Sequence, residues 1–442
     1  MRKIKLDKNK AGILIFVLLV ASFGFLLITP YVPNYFGQLL DDQYLRDAEN
    51  QIQSVRKGPI RIKIINGTDN SSVPGMSVAY NHTRHEFLFG AMFFHYKVGD
   101  PWTDNYTALW KDVFNYAILP FYYAMYDTPT EMNPKDEPNR DPAIEFCMNH
   151  SITMKGHPLM WNHEAGVPPW LDPSSDYTNQ EIIDDMQEHI NTIVGNYSDK
   201  IQYWDVTNEI VHRGVYNDIP VDWFVDKCYE WARNASPSAN LVFNEYGMLG
   251  HDFGNGDVAR YLQDMNGRGT QYDRIGMQAH AMDTDWIPTY EIKATLDGFQ
   301  GFGKPIQITE LMVPSTPVPI TNSWKKGLWS EENQAEFLRR LYTVCFAHPA
   351  VEAIVYWGFE ESSHHRNDGY GLLDNDLTPR ASYNVLKQLI KEEWHTEGTR
   401  LTDAQGWMEF EGFFGNYTVT VNSVDYNITA SSTGNNVFTI YV

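Results

Sequence analysis

The chain has 442 residues, which is too long for one small domain and fits one large catalytic domain with small additions. Its 43% hydrophobic and 20% charged residues supply a sizeable core and exclude global disorder. A formal charge of -22 repels phosphate backbones and argues against a nucleic-acid partner, while a neutral polymer stays open.

The first ten residues carry Lys and Arg, and Ala11 to Thr29 then run apolar without a charge. About 19 such residues approach the span of a bilayer. The stretch Leu26-Leu27-Ile28-Thr29-Pro30 offers no small-residue cleavage site. Residues 1–30 therefore predict a transmembrane signal anchor, with secretion after cleavage as the alternative. The positive-inside rule puts the remainder on the extracellular side of the membrane. Asn-x-Ser/Thr acceptors at Asn66, Asn70, Asn81, Asn105, Asn149, Asn196, Asn234, Asn416 and Asn427 are compatible with an exported, glycosylated chain.

Residues 31–58 are polar and helix-tolerant, and read as a stalk. Residues 59–85 read as an N-terminal β segment. Ile60-Arg61-Ile62-Lys63-Ile64 alternates as a strand, residues 66–70 form a turn cluster, and Met76–Tyr80 make a second strand. A similar β segment returns at 396–442, with strands at Tyr417–Val421 and Asn436–Val442. The two flanks are expected to pack into one small β module.

Between the flanks, over 86–395, short apolar strands alternate with helical patterns. The strands are Phe87–Phe94, Val113–Leu119, Ile152–Trp161, Ile201–Asn208, Leu241–Tyr246, Arg274–His280, Pro305–Leu311 and Val351–Phe359. Helical spacing is clear at Asn179–Tyr197 and Ser330–Ala347. Eight strands with helical connections predict an α/β protein, a (β/α)8 TIM barrel.

The three cysteines, Cys147, Cys228 and Cys345, are too few for a disulfide scaffold and show no metal-ligand spacing. No Gly-rich nucleotide loop occurs. Aromatic residues make up 14% of the chain, which suits either a large core or a cleft that stacks on sugar rings.

In such barrels catalytic groups sit at the C-terminal ends of strands. Glu209 closes Tyr203-Trp204-Asp205-Val206-Thr207-Asn208-Glu209, and Glu310 closes Ile306-Gln307-Ile308-Thr309-Glu310. A charge after an apolar strand is costly unless it is paired or used. One such glutamate reads best as a salt-bridge partner. Two, on the fourth and seventh strands, form the carboxylate pair that glycoside cleavage needs, one acid and one nucleophile. A separation of ~5–5.5 Å between them implies retention of configuration. Trp204 is expected to wall the site. This chemistry needs no metal or organic cofactor.

Trp204-Asp205-Val206-Thr207-Asn208-Glu209 resembles the acid/base motif of glycoside hydrolase family 10, the endo-1,4-β-xylanase family. Ile308-Thr309-Glu310-Leu311 resembles its nucleophile motif. Gly156-His157-Pro158-Leu159-Met160-Trp161, Gly276-Met277-Gln278-Ala279-His280 and Tyr356-Trp357-Gly358-Phe359 resemble its third, sixth and eighth strands, in register over roughly residues 85–395. Phe87-Leu88-Phe89-Gly90 resembles its first strand, and Thr402–Gly406 with Gly412–Tyr417 the tail of its plant-like branch. The resemblance implies Glu209 as acid/base and Glu310 as nucleophile. It implies that Asn208 bonds the 2-hydroxyl of the reacting sugar and that His280, supported by Gln278, bonds the nucleophile. His157 and Trp161 are implied to line the subsite before the scissile bond, with Trp357 as its floor. Asn244 and Tyr246 are expected to face the cleft. The alternative for His157, His280 and Trp357 is core packing.

The sequence departs from the family at three places. The polar run that ends the family's second strand is replaced by Pro120-Phe121-Tyr122-Tyr123-Ala124-Met125-Tyr126-Asp127. The family's Asp after the nucleophile is Met312, and an aromatic after the eighth strand falls near His364-His365. Replacing buried hydrogen-bonding groups by rings changes specificity. The expected activity is therefore a retaining, endo-acting β-1,4-glycan hydrolase, with xylan the default polysaccharide substrate. One alternative keeps the mechanism on another β-glycan or an aryl glycoside. The other is a non-catalytic carbohydrate-binding surface protein.

Overall fold

The computed structural model describes residues 34–132, 138–171, 177–216, 218–249, 255–280, 284–363 and 369–442. The apolar run 11–29 and the pair His364-His365 lie outside these residues. Among the described residues no helix is long and apolar enough to cross a membrane.

The chain opens with α1 (Asn34–Val55), then β1 (Lys57–Ile65) and β2 (Ser77–His85). The barrel follows. Its strands are β3 (Leu88–Met92), β4 (Tyr116–Pro120), β5 (Thr153–His157) with a short continuation β6 (Met160–Trp161), β7 (Tyr203–Asn208), β8 (Asn240–Glu245), β9 (Arg274–Gln278), β10 (Ile306–Leu311) and β11 (Val351–Tyr356). All pair in parallel with their neighbours, and β5 pairs with β7 to close the ring. The result is the expected (β/α)8 barrel, each strand falling within or beside its predicted span.

Its helices are α2 (Pro101–Val113), α3 (Arg140–Asn149), α4 (Asn179–Asn196), α5 (Ile210–Arg213), α6 (Val221–Ala235), α7 (Asn255–Arg268), α8 (Thr289–Gln300), α9 (Glu331–Ala347) and α10 (Ala381–Gln388). Local chemistry starts several of them. Thr178 and Glu181 form a reciprocal capping box at α4, Asp100 caps α2 ahead of Pro101, and Ser330 caps α9. Strands β3, β4 and β10 are buried at every residue, because helices cover one face and the barrel interior fills the other. That burial lets β3 and β4 read as largely apolar runs, while β10 buries Gln307, Thr309 and Glu310 among its apolar residues.

The flanks meet as expected. β12 (Glu397–Leu401), β13 (Trp407–Phe413), β14 (Gly415–Val421), β15 (Val424–Ala430) and β16 (Val437–Tyr441) complete two sheets. One has the order β13-β1-β16, the other β12-β2-β14-β15. Ile60, Ile62 and Ile64 from one sheet and Val78, Val419 and Val421 from the other share a buried cluster.

The expected stalk is corrected. Residues 34–55 form a helix docked on the barrel between α8 and α9. Its Asp41 is fully buried. The carboxylate accepts from Thr289 N (2.5 Å) at the start of α8, from Trp324 Nε1 (2.9 Å) and from Arg340 Nη1 (3.3 Å). An anion at a helix N-terminus is favourable there. Arg56, just past the helix, donates to Phe346 O (2.5 Å), His348 O (2.8 Å) and Val351 O (2.6 Å), and so fills carbonyls at the end of α9 and the start of β11. A polar surface pattern hid the buried Asp41, which docks the helix together with Ala48 and Ile52 in the core.

Candidate active site

The barrel strands end at one face, where a cleft of about 980 Å³ opens. Every site residue expected from the sequence lines it except Asn244. Glu209 follows β7 directly and Glu310 is the fifth residue of β10. Both sit on left-handed backbone, φ 57° and 55°. For a residue with a Cβ this conformation costs about 1–3 kcal/mol, and such strain persists only where the surroundings over-determine it.

The surroundings do. Glu310 Oε1 accepts from Asn244 Nδ2 (2.6 Å), and Glu310 Oε2 lies 2.6 Å from His280 Nε2. His157 Nε2 stands 3.9 Å from Oε1. Burial pushes the Glu310 carboxyl up, His157 opposes it, and the charges of Glu209 and Asp205 push it further, to about 7. Glu209 Oε2 accepts from Trp161 Nε1 (2.8 Å) and from Arg213 Nε. Gln278 Nε2 lies 3.4 Å from the other oxygen, Oε1.

A buried amide network joins the two carboxylates. Asn208 Oδ1 accepts from Asn244 Nδ2 (2.8 Å) and Gln278 Nε2 (3.0 Å). Its NH2 is what remains to offer a ligand. Thr309 Oγ1 fills Asn244 Oδ1 at 2.6 Å. A Cβ at Gly276 would lie 2.5 Å from that oxygen, so only glycine leaves room for the network.

The structure changes three expectations. Asn244 does not face the cleft; it is wholly buried and acts from beneath. Gln278 bonds Asn208 and Glu209 rather than the His280–Glu310 contact. Trp204 does not wall the site. It faces the core outside the strands, edge-on to Phe121 at 4.9 Å and against Gly156. His157 is oriented by Asp205, whose Oδ2 is 2.7 Å from His157 Nδ1 and 3.0 Å from Lys155 Nζ. Burial pushes Asp205 up, but Lys155 and His157 outweigh it and hold its carboxyl below the usual range.

The aromatic walls are Trp357, Tyr122 and Trp161. Trp357 meets His157 edge-on at 5.0 Å, and Tyr122 meets His157 at 5.6 Å and Trp161 at 6.0 Å. Tyr246 stacks on His212 at 4.0 Å. Tyr122, from the aromatic run Pro120–Asp127, lines the cleft, and Met312 is buried with Trp357 in one apolar cluster. Sequence reasoning missed Arg213, His163 and Asp285 as cleft residues. It also missed Glu245, which accepts from Val211 N (2.8 Å), lies 2.9 Å from His212 Nδ1, and so holds the turn after Glu209. Arg213 was findable, four residues after Glu209 at the spacing of a helical pair. His163 and Asp285 lie in loops that carry no periodic signal. Among the described residues no His, Cys, Asp and Glu cluster could hold a metal ion. Cys147, Cys228 and Cys345 are buried and unbridged.

A closed barrel with two buried carboxylates facing one cleft, each held by fixed donors, is built for acid and base chemistry on a bound molecule. The chain belongs to glycosyl hydrolase family 10, whose sequence profile matches residues 101–389. It is 27% identical to the anti-sigma-I factor RsgI6 of Acetivibrio thermocellus over 89% of this chain and 48% of that protein. It is 25% identical to endo-1,4-beta-xylanase 2 of Arabidopsis thaliana over 86% of this chain and 33% of that protein. It is 27% identical to endo-1,4-beta-xylanase B of Thermotoga neapolitana over 66% of this chain and 85% of that protein. The chain thus spans half or less of the length of the first two. The crystal structure of xylanase 10B from Thermotoga maritima shares the fold, with a TM-score of 0.57 and 22% identity over 70% of this chain and 96% of that one.

Proposed function

We propose that this protein is a retaining, endo-acting hydrolase of β-1,4-glycans, with xylan as its first substrate. The observation that carries the reading is the pair Glu209 and Glu310, at the ends of β7 and β10, facing one cleft. Two relatives of matching sequence are named endo-1,4-beta-xylanases, which supports the substrate class. Glu310, gripped by Asn244 and His280, attacks the anomeric carbon. Glu209 gives its proton to the leaving oxygen as the C1–O bond breaks. Water then attacks C1, Glu209 takes its proton, and Glu310 is released. Asn208 offers its NH2 to the 2-hydroxyl of the reacting sugar, and Trp357 forms the floor of that subsite by stacking. The same reading keeps the chain on the outer side of a membrane, held by the apolar run 11–29. Recovery of the full-length protein in a salt wash, without detergent, refutes that placement.

A second reading exchanges the two glutamates. It is favoured by the Glu310 carboxyl, which burial pushes to about 7 and which therefore suits a proton donor. The test is hydrolysis of a β-glycan panel followed by reducing ends, then azide rescue of Glu209→Ala and Glu310→Ala on an aryl glycoside. The first reading expects xylan cleavage, a β-azide from the Glu209 variant and an α-azide from the Glu310 variant. The opposite products establish the exchange. No cleavage of any glycan, with binding intact, returns the chain to a carbohydrate-binding surface protein.

A further inference from the structure

Glu209 leaves β7 in the left-handed conformation, and α5 starts at the next residue. One turn later Arg213 lies below it, with Arg213 N donating to Glu209 O at 2.8 Å. The Arg213 side chain turns back and its Nε donates to Glu209 Oε2. Trp161 Nε1 donates to the same oxygen at 2.8 Å. The guanidinium sits 5.7 Å over the Trp161 ring, so cation and ring brace one another.

The carboxylate is therefore asymmetric. Oε2 carries two donors, one of them charged. Among the described residues Oε1 meets Gln278 Nε2 at 3.4 Å, near the limit of a hydrogen bond, and no other donor. A proton on Oε2 would face two N–H groups, so the proton that Glu209 delivers belongs on Oε1. An exposed helical pair of this spacing contributes little. Here the Glu209 side chain is only 10% exposed, and screening is correspondingly weak. The Arg213 side chain is 38% exposed and lines the cleft, so it can follow the charge on Glu209 through a reaction cycle.

We infer that Arg213 is the positioning residue of the acid/base: it fixes Oε1 as the proton-carrying oxygen and supplies the charge that favours Glu209 as a base in the second half of the cycle. This rests on Glu209 serving as acid/base, as proposed above. Among the described residues the other titratable groups of the cleft are Glu310, Tyr122, Tyr246, His157, His163, His280 and Asp285, with His212 beside Glu209 on α5. Arg213 is the permanent cation in that set.

The two half-reactions make different demands, which gives the test. Cleavage of a glycan needs the proton of Glu209. Cleavage of an aryl glycoside with an acidic phenol does not, and its turnover rests on Glu209 as base. The enzyme, Arg213→Gln and Arg213→Lys are compared on xylan and on such an aryl xyloside across pH. On xylan the alkaline limb of kcat/KM is expected to lie at higher pH in Arg213→Gln than in the unaltered enzyme. On the aryl glycoside kcat is expected to fall about tenfold at acidic pH, where Glu209 without its cation holds the proton it should accept. Arg213→Lys restores the charge and is expected to recover both profiles. Superimposable profiles for all three enzymes, whatever the change in melting temperature, overturn the inference and leave Arg213 a surface pair. If the unaltered enzyme cleaves neither substrate, the reading beneath the inference falls with it, and the two failures are told apart.

Discussion

The two ends of the barrel hold cavities of similar size, about 980 Å³ where the strands end and about 890 Å³ where they begin. Their linings differ in how charge is settled. At the beginning of the strands, between barrel and β sheets, Arg56, Glu86 and Glu352 have fixed polar partners. Arg56 meets three carbonyls, and Glu352 accepts from Arg274 Nε (2.8 Å) and Gln307 Nε2 (2.9 Å). Glu86 takes Ser431 Oγ at 2.8 Å. At the other end two glutamates of like charge share one cleft on left-handed backbone, and one of them is driven to about 7. Cavity size does not distinguish a working face from a structural one. A pair of like-charged carboxylates on left-handed backbone does, and in barrels the face where strands begin reads as stability and the face where they end as chemistry.

That contrast breaks most sharply on Glu310. Glu310→Ala is expected to lower kcat/KM on the cleaved glycan by about 10⁴-fold or more while leaving the melting temperature near that of the unaltered protein. A reducing-end assay with a thermal melt checks both, and substantial remaining turnover removes the nucleophile from this position.

The next effect is in stability. The Glu310 carboxyl is raised from 4.5 to about 7 in the fold. The folded state therefore holds its proton more tightly than the unfolded chain. The associated stability is present below the ordinary carboxylate range and is lost as pH rises through 7. Glu310→Gln cannot ionise, so its stability relative to the unaltered protein should improve by about 3 kcal/mol between pH 4 and pH 8. Urea midpoints at the two pH values measure this, and a constant difference refutes the raised carboxyl. Activity carries the opposite sign on the proposed reading: attack needs the carboxylate, so kcat/KM falls as pH drops through about 7.

The smallest expected effect lies at the other end. Arg56→Ala removes three charge-assisted bonds and is expected to cost about 2 kcal/mol of stability with kcat/KM unchanged. Denaturant midpoints and kinetics on one preparation check it. A fall in kcat/KM with no stability loss would mean that the floor takes part in the chemistry.

Much of this was legible before folding. Glu209 and Glu310 stood out because a charge ending an apolar strand is conspicuous, and His157, His280 and Trp357 followed from motifs in register. Some of the eight strands, such as β4, were visible because double-sided burial writes an apolar run, and others, such as β7 and β10, because apolar residues recur between polar ones. Helix Asn34–Val55 was misread as a stalk because its fixing residue, Asp41, is polar and its partners lie some 250 to 300 positions away in the sequence. Trp204 was placed on the wrong side of its strand because both faces of β7 are buried, so its alternation of Trp204 and Val206 with Asp205 and Thr207 does not mark a solvent face. Asn244 was expected in the cleft, but Gly276 lets it work from below.

The sequence by itself determined the strand count, the family of motifs and the two glutamates, because these depend on local apolar patterning and on residue type. Only the tertiary structure decided which oxygen of Glu209 is held, how burial and a neighbouring carboxylate raise Glu310, and that Tyr122 lines the cleft. Those properties come from distances between groups far apart in the chain, and electrostatic energy depends on distance and burial rather than on order along the sequence.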